Sequence, residues 1–364
     1  MFKKAPRPAE SDTKATITET APCQKSVRLQ VASDAIAPVR SAVLAEFQKQ
    51  AALPGFRKGK APPALVERQY AKDIQDETLH RVTKQAFERA AKEHDLKPVG
   101  PFEVRTATFT ETAGLTLEAS VEVEPSFALA SYKGIPLMQE PAEVTAQDTE
   151  KALAALQESM AQLVPAKEGE TKERQLPPID QELAKDLGFE SLEKLKAHVE
   201  GKLREQKRAA QAQALEVALC DALLKRHAFD VPPRLVSHQT ERLTRDFKAR
   251  LLLSGMPEEQ ANEKAAQFTD QLRTNAERYV RLAFVLERIA AKESVAVTED
   301  ELVGRLWQLS QRWKKDPAEV RKIFDAQGLW SSVVSALRQE KTIALLLSAA
   351  SITNGVSDKR QEGR

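Results

Sequence analysis

The chain has 364 residues, 41% of them hydrophobic and 30% charged, with a net charge of +2, which suits about two soluble domains and excludes whole-molecule binding to a polyanion. Cys23 and Cys220 are too few and too far apart for a disulfide framework or a zinc site, and no run of 18 apolar residues is present to span a bilayer. Charge is uneven: residues 1–60 hold 11 Lys/Arg against 5 Asp/Glu, while residues 61–140 hold 9 against 13.

Residues 1–22 are rich in Pro, Thr and charge and lack the apolar stretch of a signal peptide, so they are expected to form a disordered tail of a cytoplasmic protein. Ser26 to Val31 alternates polar and apolar residues, the pattern of a half-buried strand. Ser33 or Asp34 can cap a helix with the stripe Val39, Val43, Leu44 and Phe47. That helix ends at Pro54, and the next six residues are Gly55, Phe56, Arg57, Lys58, Gly59 and Lys60, followed by Ala61, Pro62 and Pro63. The glycines allow tight turning, the prolines stop the flanking helices, and nothing nearby offers Phe56 a core. One bare aromatic among three cations suits a docking tip, with Phe56 for an apolar crevice and the cations for phosphates or a carboxylate.

This loop resembles the signature of the bacterial trigger factors, Gly-Phe-Arg-x-Gly-Lys-x-Pro, with Gly55, Phe56, Arg57, Gly59, Lys60 and Pro62 in its defined positions. The resemblance extends over most of the chain through the order of the segments around the loop. It implies an ATP-independent chaperone that docks on the large ribosomal subunit through Gly55–Lys60, touching a tunnel-exit ribosomal protein and adjacent rRNA, and that holds unfolded nascent polypeptides.

Downstream of the loop, a helical run uses Leu65, Val66, Tyr70, Ile74, Leu79, Val82, Ala86 and Phe87 and ends near His94. Phe102 to Phe109 and Leu115 to Val123 then read as strands joined by a polar turn. Residues 23–125 are therefore expected to be an α+β domain, with helices on a small antiparallel sheet. Residues 126–180 read as a linker with a short extended piece at 135–138 and one helix at 145–164. Thr145 and Asp148 would form its capping box, and Leu153, Leu156, Met160 and Leu163 its apolar face. Residues 165–178 read as a solvated connector. Most trigger factors carry an FK506-binding-type prolyl isomerase domain in this region. Residues 141–182 contain no Phe, Tyr or Trp to line such a pocket, so the isomerase domain and its activity are expected to be absent.

Residues 181–352 have helical period throughout and are expected to form an all-α domain of long hairpin arms. Pro232 and Pro233 reverse one arm and Gly255, Met256 and Pro257 turn the next; Thr298 to Glu301 is a capping box, and Gly328 ends a later helix. Residues 353–364 read as a frayed tail. The resemblance implies that these arms enclose a cradle, and paired helices leave some apolar side chains exposed. Candidate client contacts are Phe247, Leu251, Leu252, Leu253 and Met256 at the first arm's tip, and Trp307, Trp313 and Trp330 in the second region. Such surfaces would also favour a homodimer of the free protein. The five histidines show no catalytic or metal-binding spacing, and no nucleotide loop is present, so neither an enzyme nor a cofactor is expected. A ribosome-independent helical holdase or assembly factor is the competing reading.

Overall fold

The computed structural model describes residues 13–110, 113–159, 162–164, 173–175 and 178–354. Contacts divide the chain into two compact units: residues 1–128 with 228–284, and residues 129–227 with 285–364.

In the first unit a four-stranded antiparallel sheet has the order β1-β2-β4-β3, with β1 Thr13–Ala21, β2 Gln24–Val31, β3 Glu103–Thr110 and β4 Gly114–Glu122. Alternation in β2 sends Val27, Leu29 and Val31 to one face, where they meet Leu115, Leu117, Ala119 and Val121 of β4. Three helices follow β2: α1 Ser33–Gln50, α2 Pro63–Gln69 and α3 Ala71–Glu93. Ile36 and Val39 of α1 and Val82, Ala86 and Phe87 of α3 close this core, and Phe87 packs its ring against Phe102 at 4.4 Å. The helical run after the loop is interrupted at Tyr70 (φ −114°, ψ 27°), so it forms two helices rather than one.

The expected disordered tail is corrected over residues 13–21, which form β1 and pair with β2 from Thr13 opposite Val31 to Ala21 opposite Gln24. Thr, Ala and Ile fit a pleated edge without forming an apolar run, and only Ala15 and Ile17 touch the core. Residues 1–12 lie outside the described residues.

Also in the first unit, α7 (Pro233–Leu253), α8 (Glu258–Gln267) and the first part of α9 (Thr269–Lys292) form a helical hairpin. Val236, Ala276 and Val280 are buried between its helices. The helix expected to open at Pro257 breaks at Phe268 into α8 and α9. Pro232 and Pro233 give α7 no side-chain cap of its own. Glu122 of β4, only 5% exposed, takes that place by accepting from the Arg234 N–H at 2.8 Å. The Arg234 guanidinium also pairs with Glu103, and Cys23 donates its thiol proton to the Asp230 carbonyl at 3.2 Å.

In the second unit the strands β5 Pro136–Gln139 and β8 Ser351–Asn354 form a parallel pair. The frayed tail is thus corrected for Thr353 and Asn354, which are held in the ladder; residues 355–364 lie outside the described residues. Helix α4 spans Ala146–Ser159 rather than 145–164, and Leu163 belongs to β6 (Gln162–Val164), which pairs with β7 (Glu173–Gln175) across the expected connector. Met160 is not among the described residues. Asp180 caps the short α5 (Gln181–Asp186), and Ser191 caps the 35-residue α6 (Leu192–Arg226). Leu153, Ala184 and Leu195 pack α4, α5 and the start of α6 together. The remaining helices are α10 Glu299–Trp313, α11 Pro317–Gln327 and α12 Trp330–Ser348. Both members of the Thr298 and Glu301 capping box are formed, and α11 ends at Gly328 with φ +62°.

Candidate functional site

The loop between α1 and α2 is built on a packed base and carries an uncovered tip. Ala51, Ala61 and Val66 are buried there, with Leu44, Phe47, Leu53 and Tyr70 packed around them. Two local turns shape the tip: the Phe56 N–H donates to the Leu53 carbonyl at 3.1 Å and the Lys60 N–H to the Arg57 carbonyl at 2.9 Å. Gly55 and Gly59 both take positive φ, +84° and +79°, which L side chains adopt only with strain. Phe56 is 41% exposed, and Arg57, Lys58 and Lys60 are exposed beside it. No ion pair among the described residues involves these three cations. No described residue neutralises these basic groups, and the aromatic ring is left partly in solvent.

The helical candidates fall in two places. Leu252 and Leu253 end α7 and are exposed, Leu253 at 87%, whereas Phe247, Leu251 and Met256 are half-buried. Phe247 packs against Phe268 at 5.6 Å, which accounts for its partial cover. In the second unit Trp307 is 58% exposed and Trp313 is exposed but stacks on the buried Phe324. Trp330 is half-buried, and its indole N–H donates to Asp325 at 2.7 Å. Among the exposed apolar residues that the sequence does not single out are Phe268, whose ring meets Phe247, and Val303 one turn before Trp307. The i, i+4 spacing of Val303 and Trp307 was the available signal for the second.

Among the described residues no group of three or more His, Cys, Asp or Glu side chains could hold a metal ion, and no helix is long and apolar enough to cross a membrane. Cys220 is half-buried, and burial, with Glu216 and Asp221 adding to it, pushes its thiol up to about 11. It stays protonated and unreactive near neutral pH.

Two family models match this chain, the bacterial trigger factor protein (TF) over residues 13–156 and its C-terminus over residues 191–348. The chain belongs to the bacterial trigger factors. The family gives it a chaperone role in protein folding. The trigger factor of Anaeromyxobacter sp. (strain Fw109-5) is 25% identical over 426 residues, covering 93% of this chain and 99% of that protein. The trigger factor of Shouchella clausii (strain KSM-K16) is 23% identical over 408 residues, covering 88% and 94%. Both alignments are longer than the 364 residues of this chain, so each relative carries stretches without a counterpart here. A solved structure of a trigger factor chaperone, described for promiscuous substrate recognition in folding and assembly, superposes with a TM-score of 0.49 at 18% identity, over 92% of this chain and 99% of that one.

Proposed function

We propose that this trigger factor docks on the large ribosomal subunit beside the nascent-chain exit and holds newly made polypeptides on its helical arms without ATP, in the cytoplasm. The observation that carries the docking reading is the tip itself: an exposed Phe56 among Arg57, Lys58 and Lys60, none of them ion-paired among the described residues, on a loop whose base is packed. With the base ordered, the backbone of the loop has little further entropy to lose when a partner covers the tip, and only the side chains remain to be ordered. The ring suits an apolar crevice of a tunnel-exit ribosomal protein, and the cations suit phosphates of adjacent rRNA. Client holding rests on the exposed Leu252, Leu253, Val303, Trp307 and Trp313, each able to contribute a weak apolar contact. Several such contacts give reversible retention through multivalency.

The proposal excludes prolyl isomerase activity. The two family models leave only residues 157–190 between them, fewer than the roughly 50 that a domain with its own core needs.

Cosedimentation with bacterial 70S ribosomes tests the docking. The Phe56/Arg57/Lys58→Ala triple variant should lose binding, and the affinity of the parent protein should fall by roughly 0.7 to 0.9 log units per log unit of salt for each phosphate neutralised. Equal binding by both proteins would remove the loop from the docking, and absent binding in both would leave a ribosome-independent helical holdase.

A further inference from the structure

The loop returns to the helices along a path held by a side chain outside the signature. Gln48, half-buried in the last turn of α1, donates from Nε2 to the carbonyl of Ala61 at 2.9 Å. Ala61 is itself buried in the base cluster, so its carbonyl has little access to water as an alternative donor. The same return strand lies close against α1 at Gly59. Its N–H donates to the Ala51 carbonyl at a long 3.3 Å, and a Cβ built there would lie 3.1 Å from the Lys49 carbonyl oxygen. The backbone bond is thus weak, the glycine permits the approach without enforcing it, and the Gln48 amide is the side-chain tether from α1 to the returning strand among the described residues.

We infer that Gln48 is a positioning residue for ribosome docking: it holds the exit of the loop against α1, so that Phe56 and its flanking cations stay in the geometry that binds. This inference rests on the docking reading above. Its physical content is a population effect. With the tether the loop is mostly in the binding conformation; without it the same tip spends more time in others, and the apparent affinity falls by the fraction lost. A neutral hydrogen bond in a partly buried site shifts such an equilibrium by roughly two- to tenfold.

The test uses Gln48→Leu, which keeps the bulk of the side chain and removes the donor, beside the Phe56/Arg57/Lys58→Ala variant in the full chain. Three quantities are measured: 70S affinity across a salt series, thermal unfolding, and amide hydrogen exchange. The expected result is a two- to tenfold weaker affinity with an unchanged salt slope, because every phosphate-facing cation is still present. Exchange should quicken at residues 55–60, while the protection of α1 and α3 holds and the unfolding midpoint falls by no more than a few degrees. Parental affinity in Gln48→Leu would overturn the inference and leave the docking reading standing. So would weaker affinity with loop exchange unchanged, or with protection lost throughout α1 and α3, since the residue would then act by direct contact or by general stability. If the triple variant binds as the parent does, the docking reading falls and the role of Gln48 in it falls too.

Discussion

Asp148 shows how a single side chain secures a helix in this chain. Its carboxylate accepts from the Thr145 N–H at 2.9 Å and the Thr145 hydroxyl at 2.8 Å, which completes the capping box of α4. It also meets the Lys207 ammonium at 2.6 Å, and the same ammonium donates to the Glu143 carbonyl at 2.7 Å. Asp148 thereby joins α4 to the middle of α6, where no residue between Leu195 and Leu215 is buried. The Lys207 hydrogen bond, followed by those from Thr145, holds the carboxyl well below the usual carboxylate range. A depressed folded value stabilises above the unfolded value of about 4, and the stabilisation is lost as pH falls through the folded value. The stability gap between the parent and Asp148→Asn should therefore be full near neutrality and narrow on acidification below about pH 4. Urea titrations at a series of pH values read this directly, and a gap that widened with acid would contradict it. The Thr145 and Asp148 cap was visible in the sequence because its partners are three residues apart. The Lys207 clamp was not, since nothing local marks one lysine among many as the partner.

At the scale of elements, the end of α7 shows why an arm leaves apolar residues in water. Gly255 takes φ +86°, the Met256 N–H donates back to the Leu251 carbonyl at 3.1 Å, and Pro257 precedes the first residue of α8. The residues that α8 buries are Ala261 and Ala265, which fill little volume. Leu252, Leu253 and Phe268 stay uncovered. In α10 the same outcome has another cause, because Val303 and Trp307 lie one turn apart on an exposed face of an amphipathic helix. If clients are held on these elements, a photo-crosslinker at residue 253 or 307 should capture an unfolded polypeptide, and Leu253→Ser should reduce capture by roughly tenfold or more, in line with about 1.5 to 3 kcal/mol for covering one leucine. Capture confined to a probe on β3 of the N-terminal sheet would remove the arms from the proposal. The helical period placed both elements in the sequence. It did not separate Leu253 from the half-buried Leu251 and Met256, because which face is covered depends on the neighbouring helix.

For the whole molecule, the two family models and the short stretch between them bear on activity. A proline-limited refolding assay should show no catalysis above the uncatalysed rate, with isomerisation taking tens to hundreds of seconds. Strong catalysis would overturn the proposal that no isomerase domain is present. The sequence by itself determined the features whose causes are local: the glycine turns and proline stops of the docking loop, the capping boxes at Thr145 and Thr298, the strands β2, β3 and β4, and the helical character after residue 180. Each rests on neighbours within about four residues, so its signal is contiguous. Only the tertiary structure decided that residues 13–21 are a strand, that Leu137 pairs with Ile352, that Glu122 caps α7, and that residues 228–284 share a compact unit with the N-terminal sheet. The β5–β8 pair and the Glu122 cap are completed by partners far along the chain that no local pattern names, whereas β1 pairs with its neighbour β2 and is obscured only by its polar edge composition.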